Sequence, residues 1–142
     1  MEKKKVLFFD DEKWFTDYHE KLMVNEQFEV TVVNTPSEFL CEIEGDDRFD
    51  LFILDIMVPL SIFKDEDFNR ITRPQRQRFH DGLSVGIVFH EILRKKPKYV
   101  NTPVIFYTSR ADPLIPNSRY LSKPSSTKSL IHLIKDCLNI KN

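Results

Sequence analysis

The chain has 142 residues, of which 41% are hydrophobic and 30% are charged, and this is the composition of an ordinary globular domain. A formal net charge of -1 excludes a general electrostatic attraction to nucleic acids or anionic membranes, and no apolar stretch is long enough to cross a bilayer. At this length we expect a single domain over residues 1–142.

Two features of the sequence favour a cytoplasmic protein. The basic run near the N-terminus is followed by too few apolar residues for a secretory signal. Cys41 and Cys137 lie in apolar helical patterns without the close spacing of a redox or metal motif. We therefore expect both cysteines to be buried structural thiols in a reducing compartment.

The first strand and helix are predicted near the N-terminus. Val6 to Phe9 is a short, wholly apolar run, which is typical of a strand buried on both faces. A helix follows from about Glu12, and Trp14, Tyr18 and Leu22 recur every fourth residue as its apolar face.

A second strand and helix and a third strand come next. Phe28 to Val33 is rich in β-branched residues, which favour strands. Thr35 and Glu38 have the spacing of a capping box, and Pro36 occupies the first helical position, so a helix is predicted to begin there. Leu51 to Leu54 repeats the short apolar run of the first strand and predicts the third strand.

The second half of the chain continues the alternation. A helix is predicted from about Asp81, a strand over Val104 to Tyr107, a short fifth strand over Arg119 to Leu121, and a last helix from about Thr127. Apolar residues recur on one face of each helix: Val85, Val88, Phe89 and Ile92 in the first, and Leu130, Leu133, Ile134, Cys137 and Leu138 in the second. Repeated strand-then-helix units predict an α/β fold with a parallel sheet and helices on both faces.

Two segments interrupt this alternation. Residues 60–80 separate the third strand from its helix and are too many for an ordinary connection, so we interpret them as an insertion. Between Thr108 and Lys123 the chain is short and contains Pro113 and Pro116. A full helix hardly fits there, and we expect a loop or a single turn.

Five polar residues follow the predicted strands where each strand ends. Asp10 and Asp11 follow the first, Asp55 follows the third, and Thr108 and Lys123 follow the fourth and fifth. Since parallel strands end at one edge of the sheet, these side chains are expected to converge. Three close carboxylates repel one another unless a cation neutralises them, and Mg²⁺ prefers such hard oxygen ligands. A carboxylate can itself be a nucleophile that forms an acyl phosphate, with a lysine and a hydroxyl binding the phosphoryl oxygens.

The segments that carry these residues resemble the receiver domain of two-component response regulators over nearly the whole chain. The matching segments are Val6-Leu7-Phe8-Phe9-Asp10-Asp11-Glu12, Leu54-Asp55 with Pro59, Asp81-Gly82-Leu83, Tyr107-Thr108-Ser109, and Tyr120-Leu121-Ser122-Lys123-Pro124. One segment alone would be a weak signal, but five in the right order are specific. The resemblance implies a flavodoxin-like doubly wound sheet of five parallel strands in the order 2-1-3-4-5. This chain departs from the family in its insertion at 60–80 and in the helix between the fourth and fifth strands, which is expected to be short or missing.

The resemblance also implies roles for individual residues. Asp55 would accept phosphate from a histidine kinase, a phosphotransfer protein or a small phosphodonor. Asp10, Asp11 and Asp55 would hold Mg²⁺ together with the backbone carbonyl of Met57. Lys123 would pair with the phosphoryl group. Such a protein promotes only its own phosphorylation and dephosphorylation and is not expected to be an enzyme acting on a separate substrate.

Signalling would depend on a coupled movement of two residues. By the resemblance, Thr108 would move toward the phosphoryl group and Tyr120 would turn inward, and the Lys123-Pro124 peptide bond would be cis. Few residues follow the last helix, so we expect no output domain on this chain and an unknown effector protein as the partner. Nucleic acid and membrane partners are not expected.

Other interpretations of the same residues remain open. The chain is alternatively a phosphorylation-independent interaction module with a receiver fold. A phosphatase of the haloacid-dehalogenase type needs an acid two positions after its nucleophile, where Glu12 rather than aspartate follows Asp10. Tyr120 is alternatively a plain edge-strand aromatic residue. The four histidines lack metal-binding spacing and are expected on the surface or on helix faces: His19, His80, His90 and His132.

The insertion carries charges of both signs. They are Lys64-Asp65-Glu66-Asp67 and then Arg70, Arg73, Arg76 and Arg78. The simplest interpretation is a solvated excursion whose charges balance locally or a protein contact, in preference to a nucleic-acid contact. A further hypothesis is that the insertion covers the pocket and slows hydrolysis of the acyl phosphate. Deleting residues 62–79 and timing the loss of phosphate tests it, and an unchanged lifetime would exclude it.

Overall fold

The computed structural model describes residues 3–58, 64–69, 85–109, 115 and 118–141. They form five strands and five helices, which in chain order are β1 (Lys4–Phe9), α1 (Lys13–Leu22), β2 (Phe28–Val33), α2 (Pro36–Glu44), β3 (Leu51–Leu54), α3 (Asp65–Asn69), α4 (Val85–Arg94), β4 (Val104–Thr108), β5 (Arg119–Ser122) and α5 (Thr127–Leu138). The strands form one parallel sheet in the order β2-β1-β3-β4-β5. The predicted α/β fold and strand order are confirmed.

Both faces of the sheet are buried, because the central strands carry apolar side chains that point to both faces. Leu7, Phe9, Phe52 and Leu54 lie in one core with residues of α2 and α4. The alternate strand residues lie in the second core with residues of α1 and α5: Val6, Phe8, Leu51 and Ile53. The continuous apolar runs of β1 and β3 follow from this double burial.

Helix α2 begins as its sequence predicts. The Thr35 side chain accepts a hydrogen bond from the backbone N–H of Glu38, and the Glu38 carboxylate accepts one from the backbone N–H of Thr35. Pro36 is the first helical residue, where its missing N–H costs nothing. The capping box and the start of the helix are both confirmed.

The predicted apolar face of α1 is wrong. The three residues of that face are 69%, 57% and 53% exposed: Trp14, Tyr18 and Leu22. The buried residues of α1 are Phe15, Thr16 and His19. Phe15 and His19 also stand four residues apart, so the period alone fits either face. The structure buries the face with the histidine, and the cost of burying its ring is offset because both ring nitrogens have hydrogen-bond partners inside the protein.

The prediction for the cysteines is wrong for Cys41. Cys41 is exposed on α2, whose buried residues are Phe39, Leu40 and Ile43. Cys137 is half-buried and packs at the edge of the second core. A cysteine beside an apolar helical stripe need not belong to it.

Two sequence predictions fall largely outside the described residues. Of the insertion at 60–80, the structure describes residues 64–69, where α3 lies beside α2. Between β4 and β5 it describes residues 109, 115 and 118, so the expected loss of a helix there stays a prediction. Within the described part of the chain, no helix has the length and apolar character needed to cross a membrane.

Candidate functional site

The register of the sheet brings the acidic residues together. Phe9 of β1 pairs with Leu54 of β3, so Asp10 and Asp55 follow from adjacent positions at the same edge. The backbone N–H of Asp55 donates to the carbonyl of Phe9 across these strands at 3.1 Å. In the pair of strands β4 and β5, Thr108 lies opposite Ser122, the last residue of β5. Lys123 follows Ser122 directly.

Three carboxylates form a cluster at this edge. Asp10, Asp11 and Asp55 each offer an oxygen atom, and these atoms lie within 4.8 Å of one another. Asp10 is fully buried and Asp55 is nearly so, while Asp11 is half-buried. The convergence predicted from the strand ends is therefore present in the structure.

Lys123 contacts this cluster directly. Its Nζ lies 2.7 Å from Asp10 Oδ2 and 3.3 Å from Asp55 Oδ2. Glu12 supplies a third carboxylate oxygen at 3.1 Å, and the Phe15 ring lies 4.7 Å from Nζ. Glu12 and Phe15 were missed in the sequence because a helix start supplies no sign that these side chains turn toward a residue far along the chain.

Burial and like charge perturb the pKa values of these acids. Burial, followed by the negative charge of Asp10, raises the pKa of Asp55 to about 7, although Lys123 and the Met57 N–H oppose the shift. Burial also raises the pKa of Asp10, and burial with the Asp10 charge raises that of Asp11. Burial alone would lower the pKa of Lys123, but its contacts with Asp10 and Asp55 raise it, so it stays protonated.

The donor set fits a divalent cation with a preference for oxygen. Asp10 Oδ2 is buried and meets Lys123 as an ion pair, without a hydrogen bond of regular geometry. It therefore keeps lone pairs that a cation can use. Three carboxylates against one ammonium leave an excess of negative charge, and Mg²⁺ binds such groups readily. The Met57 carbonyl stays a predicted ligand, whereas the Met57 N–H donates to Asp55 Oδ1 at 3.2 Å.

Thr108 and Tyr120 lie on neighbouring strands beside the cluster. The Thr108 side chain is buried, and its carbonyl accepts a hydrogen bond from the Lys123 N–H at 2.9 Å. Tyr120 is half-buried, stacks on Phe106 with ring centroids 5.2 Å apart, and accepts a hydrogen bond from the backbone N–H of Ile115. The Lys123-Pro124 bond is cis, as the sequence resemblance implies.

Gly86 is a further residue that the sequence did not identify. A Cβ atom there would contact the backbone carbonyl oxygen of Asp55 and would lie 2.8 Å from the Ile56 Cα. The first turn of α4 thus packs directly against the chain that carries Asp55. The sequence singled out Gly82 instead, which lies outside the described residues. The signal that could have identified Gly86 is its position inside the apolar pattern of a helix, where a glycine usually has a packing reason.

An open cavity of about 310 Å³ adjoins the carboxylates. Its lining includes Asp55 and Lys123, with Trp14, Met57 and Ser109 at the sides. A larger concavity of about 730 Å³ lies at the opposite edge of the sheet, where β1 and β2 begin. Among the described residues the carboxylate cluster is at the smaller cavity, so we assign function there.

Of the two positions expected for the histidines, the surface or a helix face, His19 occupies a helix face, and this face of α1 is buried. Its ring is fully buried between α1 and the sheet. Nδ1 lies 2.8 Å from the Thr127 hydroxyl, and Nε2 lies 3.3 Å from the Tyr107 hydroxyl. Burial and the nearby charge of Lys123 lower the pKa of His19 and favour the neutral ring.

No sequence model of a protein family matches this chain, and no curated protein does. Solved structures do match it. The chemotaxis protein CheY4 of Vibrio cholerae superposes with a TM-score of 0.71 at 19% identity, over 96% of this chain and 99% of that one. The receiver domain of the Francisella response regulator 1452 gives 0.68 at 25% identity, over 96% and 97%.

A third solved structure matches over a similar length. The CheY-like response regulator receiver domain protein of Methanospirillum hungatei gives a TM-score of 0.68 at 21% identity, over 97% of this chain and 95% of that one. The chain therefore has the fold of response regulator receiver domains along nearly its whole length. The fold that the sequence motifs implied is confirmed.

Proposed function

We propose that the chain is a phosphorylatable signalling receiver in which Asp55 accepts a phosphoryl group in a Mg²⁺-dependent reaction. The observation that carries the proposal is the position of Lys123, whose ammonium contacts both Asp10 and Asp55. Transfer of a phosphoryl group to a carboxylate needs positive charge at the transferred oxygens, and a lysine between the two acids supplies it.

In this reaction a carboxylate oxygen of Asp55 attacks the phosphorus atom of the donor. A new O–P bond forms while the bond from phosphorus to the leaving group breaks, and the leaving group keeps the electron pair. The product is an acyl phosphate on Asp55. Later attack by water on phosphorus releases inorganic phosphate and restores the carboxylate. Lys123 binds a phosphoryl oxygen during the transfer, and Thr108 offers a hydroxyl group to another.

Asp10, Asp11 and Asp55 are the residues that would hold Mg²⁺, with the Met57 carbonyl as a further ligand. The cation supplies positive charge that offsets the negative charge on the phosphoryl oxygens and lowers the pKa of the acids. Support comes from the three oxygens within 4.8 Å of one another and from the buried lone pairs of Asp10.

The output of the proposed receiver is a change in its surface. Phosphorylation would draw Thr108 toward the phosphoryl group, and Tyr120 would turn further into the space that Thr108 leaves. Tyr120 is half-buried against Phe106, and an inward turn would release the hydrogen bond that its hydroxyl accepts from the Ile115 N–H. The donor would be a histidine kinase or phosphotransfer protein, and an effector protein would recognise the altered surface.

The proposal is tested by exposing the protein to acetyl phosphate with Mg²⁺ and mapping the modified residue by mass spectrometry. We expect one phosphoryl group on Asp55, and none in Asp55→Asn. Asp17→Asn removes an exposed carboxylate of α1 and should be phosphorylated like the wild type. If the wild type takes up no phosphate and shows no spectroscopic change with beryllofluoride and Mg²⁺, the chain is instead a phosphorylation-independent interaction module.

A further inference from the structure

The buried hydroxyl group of Tyr107 makes two hydrogen bonds to the backbone of one loop residue, Ser125. Its oxygen accepts a hydrogen bond from the backbone N–H of Ser125 at 2.8 Å and donates one to the Ser125 carbonyl at 3.0 Å. The ring of Tyr107 is fully buried in the core that α1 and α5 cover. A phenylalanine would fill the same space, so the hydroxyl serves the loop rather than the packing.

His19 completes the bonding of this hydroxyl. Because the Tyr107 proton points to the Ser125 carbonyl, His19 Nε2 carries a hydrogen and donates to the Tyr107 oxygen at 3.3 Å. His19 Nδ1 then accepts from the Thr127 hydroxyl at 2.8 Å. The Tyr107 oxygen thus makes three hydrogen bonds, and the histidine and threonine keep it in that orientation.

The loop that Tyr107 holds is the loop that carries Lys123. Ser125 is separated from Lys123 by Pro124 alone, and the Lys123 N–H is bonded to the carbonyl of Thr108 at 2.9 Å. Consecutive residues of β4 therefore fix the main chain on both sides of Lys123. The Phe15 ring adds a side-chain link, since its centroid lies 5.2 Å from the Tyr107 ring and 4.7 Å from the Lys123 ammonium.

We propose that Tyr107, oriented by His19, is a positioning residue that sets where the Lys123 ammonium stands relative to Asp55. The inference rests on the proposed function and extends it, because it assigns control of the transfer rate to a hydroxyl group that touches neither phosphate nor metal. Displacing a charged group by about an ångström at such a site costs up to about a hundredfold in rate. If the loop is loosened while Lys123 is still present, we expect the rate of phosphoryl transfer to fall about tenfold.

The test compares Tyr107→Phe with the wild type in the initial rate of phosphorylation by acetyl phosphate. We expect a rate about tenfold lower at saturating Mg²⁺, with the Mg²⁺ dissociation constant unchanged within about twofold, because the carboxylates lie on other segments. Thr127→Val is a milder second variant. It removes the hydroxyl that orients His19 and should lower the rate in the same direction, so the inference stays testable if Tyr107→Phe folds poorly.

Tyr99→Phe is the matched control. Tyr99 is also fully buried, and its hydroxyl also bonds to a loop, through the Phe49 N–H and the Asp47 carbonyl. That loop lies at the opposite edge of the sheet, before β3. Losing this hydroxyl should lower the free energy of unfolding to a similar extent and leave the phosphorylation rate unchanged.

A double-mutant cycle separates positioning from general loosening. In a Lys123→Ala background, whose slow phosphorylation is followed over hours, adding Tyr107→Phe should have no further effect on the rate. An equal loss in Tyr99→Phe, a full additional loss in the Lys123→Ala background, or a wild-type rate in both Tyr107→Phe and Thr127→Val would overturn the inference alone. A wild type that is never phosphorylated would overturn the proposed function and the inference with it.

Discussion

Asp55 is in an unusual electrostatic position for an aspartate. It is nearly fully buried, it lies beside Asp10, and one ammonium group is shared among it, Asp10 and Glu12. Its pKa of about 7 means that protonated and ionised forms coexist near neutral pH when no cation is bound. In the proposed reaction the Asp55 carboxylate must be ionised, so a bound cation would favour its reactivity by stabilising the ionised form.

The raised pKa of Asp55 leads to a prediction about stability in the absence of divalent cations. A folded-state pKa above the unfolded value means that the folded protein binds more protons between about pH 4 and 7. The stability of the wild type relative to Asp55→Asn should therefore fall as the pH rises through this window. A shift of one pKa unit corresponds to about 1.4 kcal/mol, so we expect a relative change of a few kcal/mol. Urea unfolding in EDTA at several pH values measures it.

Two controls accompany this prediction. Asp17→Asn, which removes a carboxylate of α1 whose side chain is 41% exposed, is the matched control for the loss of one acidic group. Saturating Mg²⁺ should reduce the fall in the stability of the wild type with rising pH, because the cation stabilises the ionised form of Asp55. Parallel pH curves for the wild type and Asp55→Asn would show that Asp55 titrates normally.

At the scale of elements, the start of α4 is pressed against the segment that follows β3. Gly86 leaves no room for a side chain, since a Cβ atom would meet the backbone of Asp55 and Ile56. Its N–H also donates to the Ile56 carbonyl at 3.3 Å. The helix and the site therefore share one packing contact, and the position of Asp55 depends on a helix that contributes no side chain to the chemistry.

Gly86→Ala is expected to destabilise the fold and to disturb the site together. Backbone atoms cannot yield as a flexible side chain does, so overpacking should cost about 1–3 kcal/mol in the free energy of unfolding. The phosphorylation rate should fall even under conditions where the variant is folded. Denaturant unfolding and acetyl phosphate labelling measure the two effects.

Gly45→Ala is the matched control for this substitution. Around Gly45 the nearest backbone atoms are 3.5 Å from a built Cβ, and the residue has φ −77°, which alanine adopts readily. We expect little change in stability and a wild-type phosphorylation rate. If Gly86→Ala behaves like this control, the tight contact between α4 and Asp55 is not a constraint in solution.

At the scale of the whole molecule, the sheet collects charge at one edge. Segments after β1 and β3 bring carboxylates, the segment after β5 brings Lys123, and the apolar strands between them remove water from one side. The cost of holding like charges together is offset when a cation binds the folded chain only. A cation bound at this cluster would therefore couple binding to folding across the molecule.

Mg²⁺ should raise the thermal unfolding midpoint of the wild type. A ligand at one hundred times its dissociation constant stabilises the folded state by about 2.7 kcal/mol. The single tryptophan, Trp14, lines the cavity beside Asp55, so its fluorescence should also change with Mg²⁺. Asp11→Asn, at the half-buried position, should show a smaller rise and a weaker fluorescence titration, while Asp17→Asn should match the wild type. Equal responses in all three proteins would argue against a metal site at this cluster.

The sequence by itself determined the strands, their parallel arrangement and the residues at their ends. Apolar runs, the alternation with helices and the capping box at Thr35 are local signals, and local physics decides them. Asp10, Asp55 and Lys123 could be assigned to one edge because parallel strands end together, whatever the details of packing. The resemblance of the motifs to receiver domains predicted the same fold. It also implied roles for individual site residues, which apolar periodicity and helix caps do not predict.

Only the tertiary structure decided which side of α1 is buried, where His19 lies, and which groups surround Lys123. Each of these depends on partners distant in sequence: Tyr107 and Thr127 satisfy the histidine, and Glu12 and Phe15 meet the lysine. A period of four residues cannot distinguish an exposed aromatic stripe from a buried one. Burial of the face with His19 is tolerable only because its polar groups find partners, and those partners are in place only once the segments have come together.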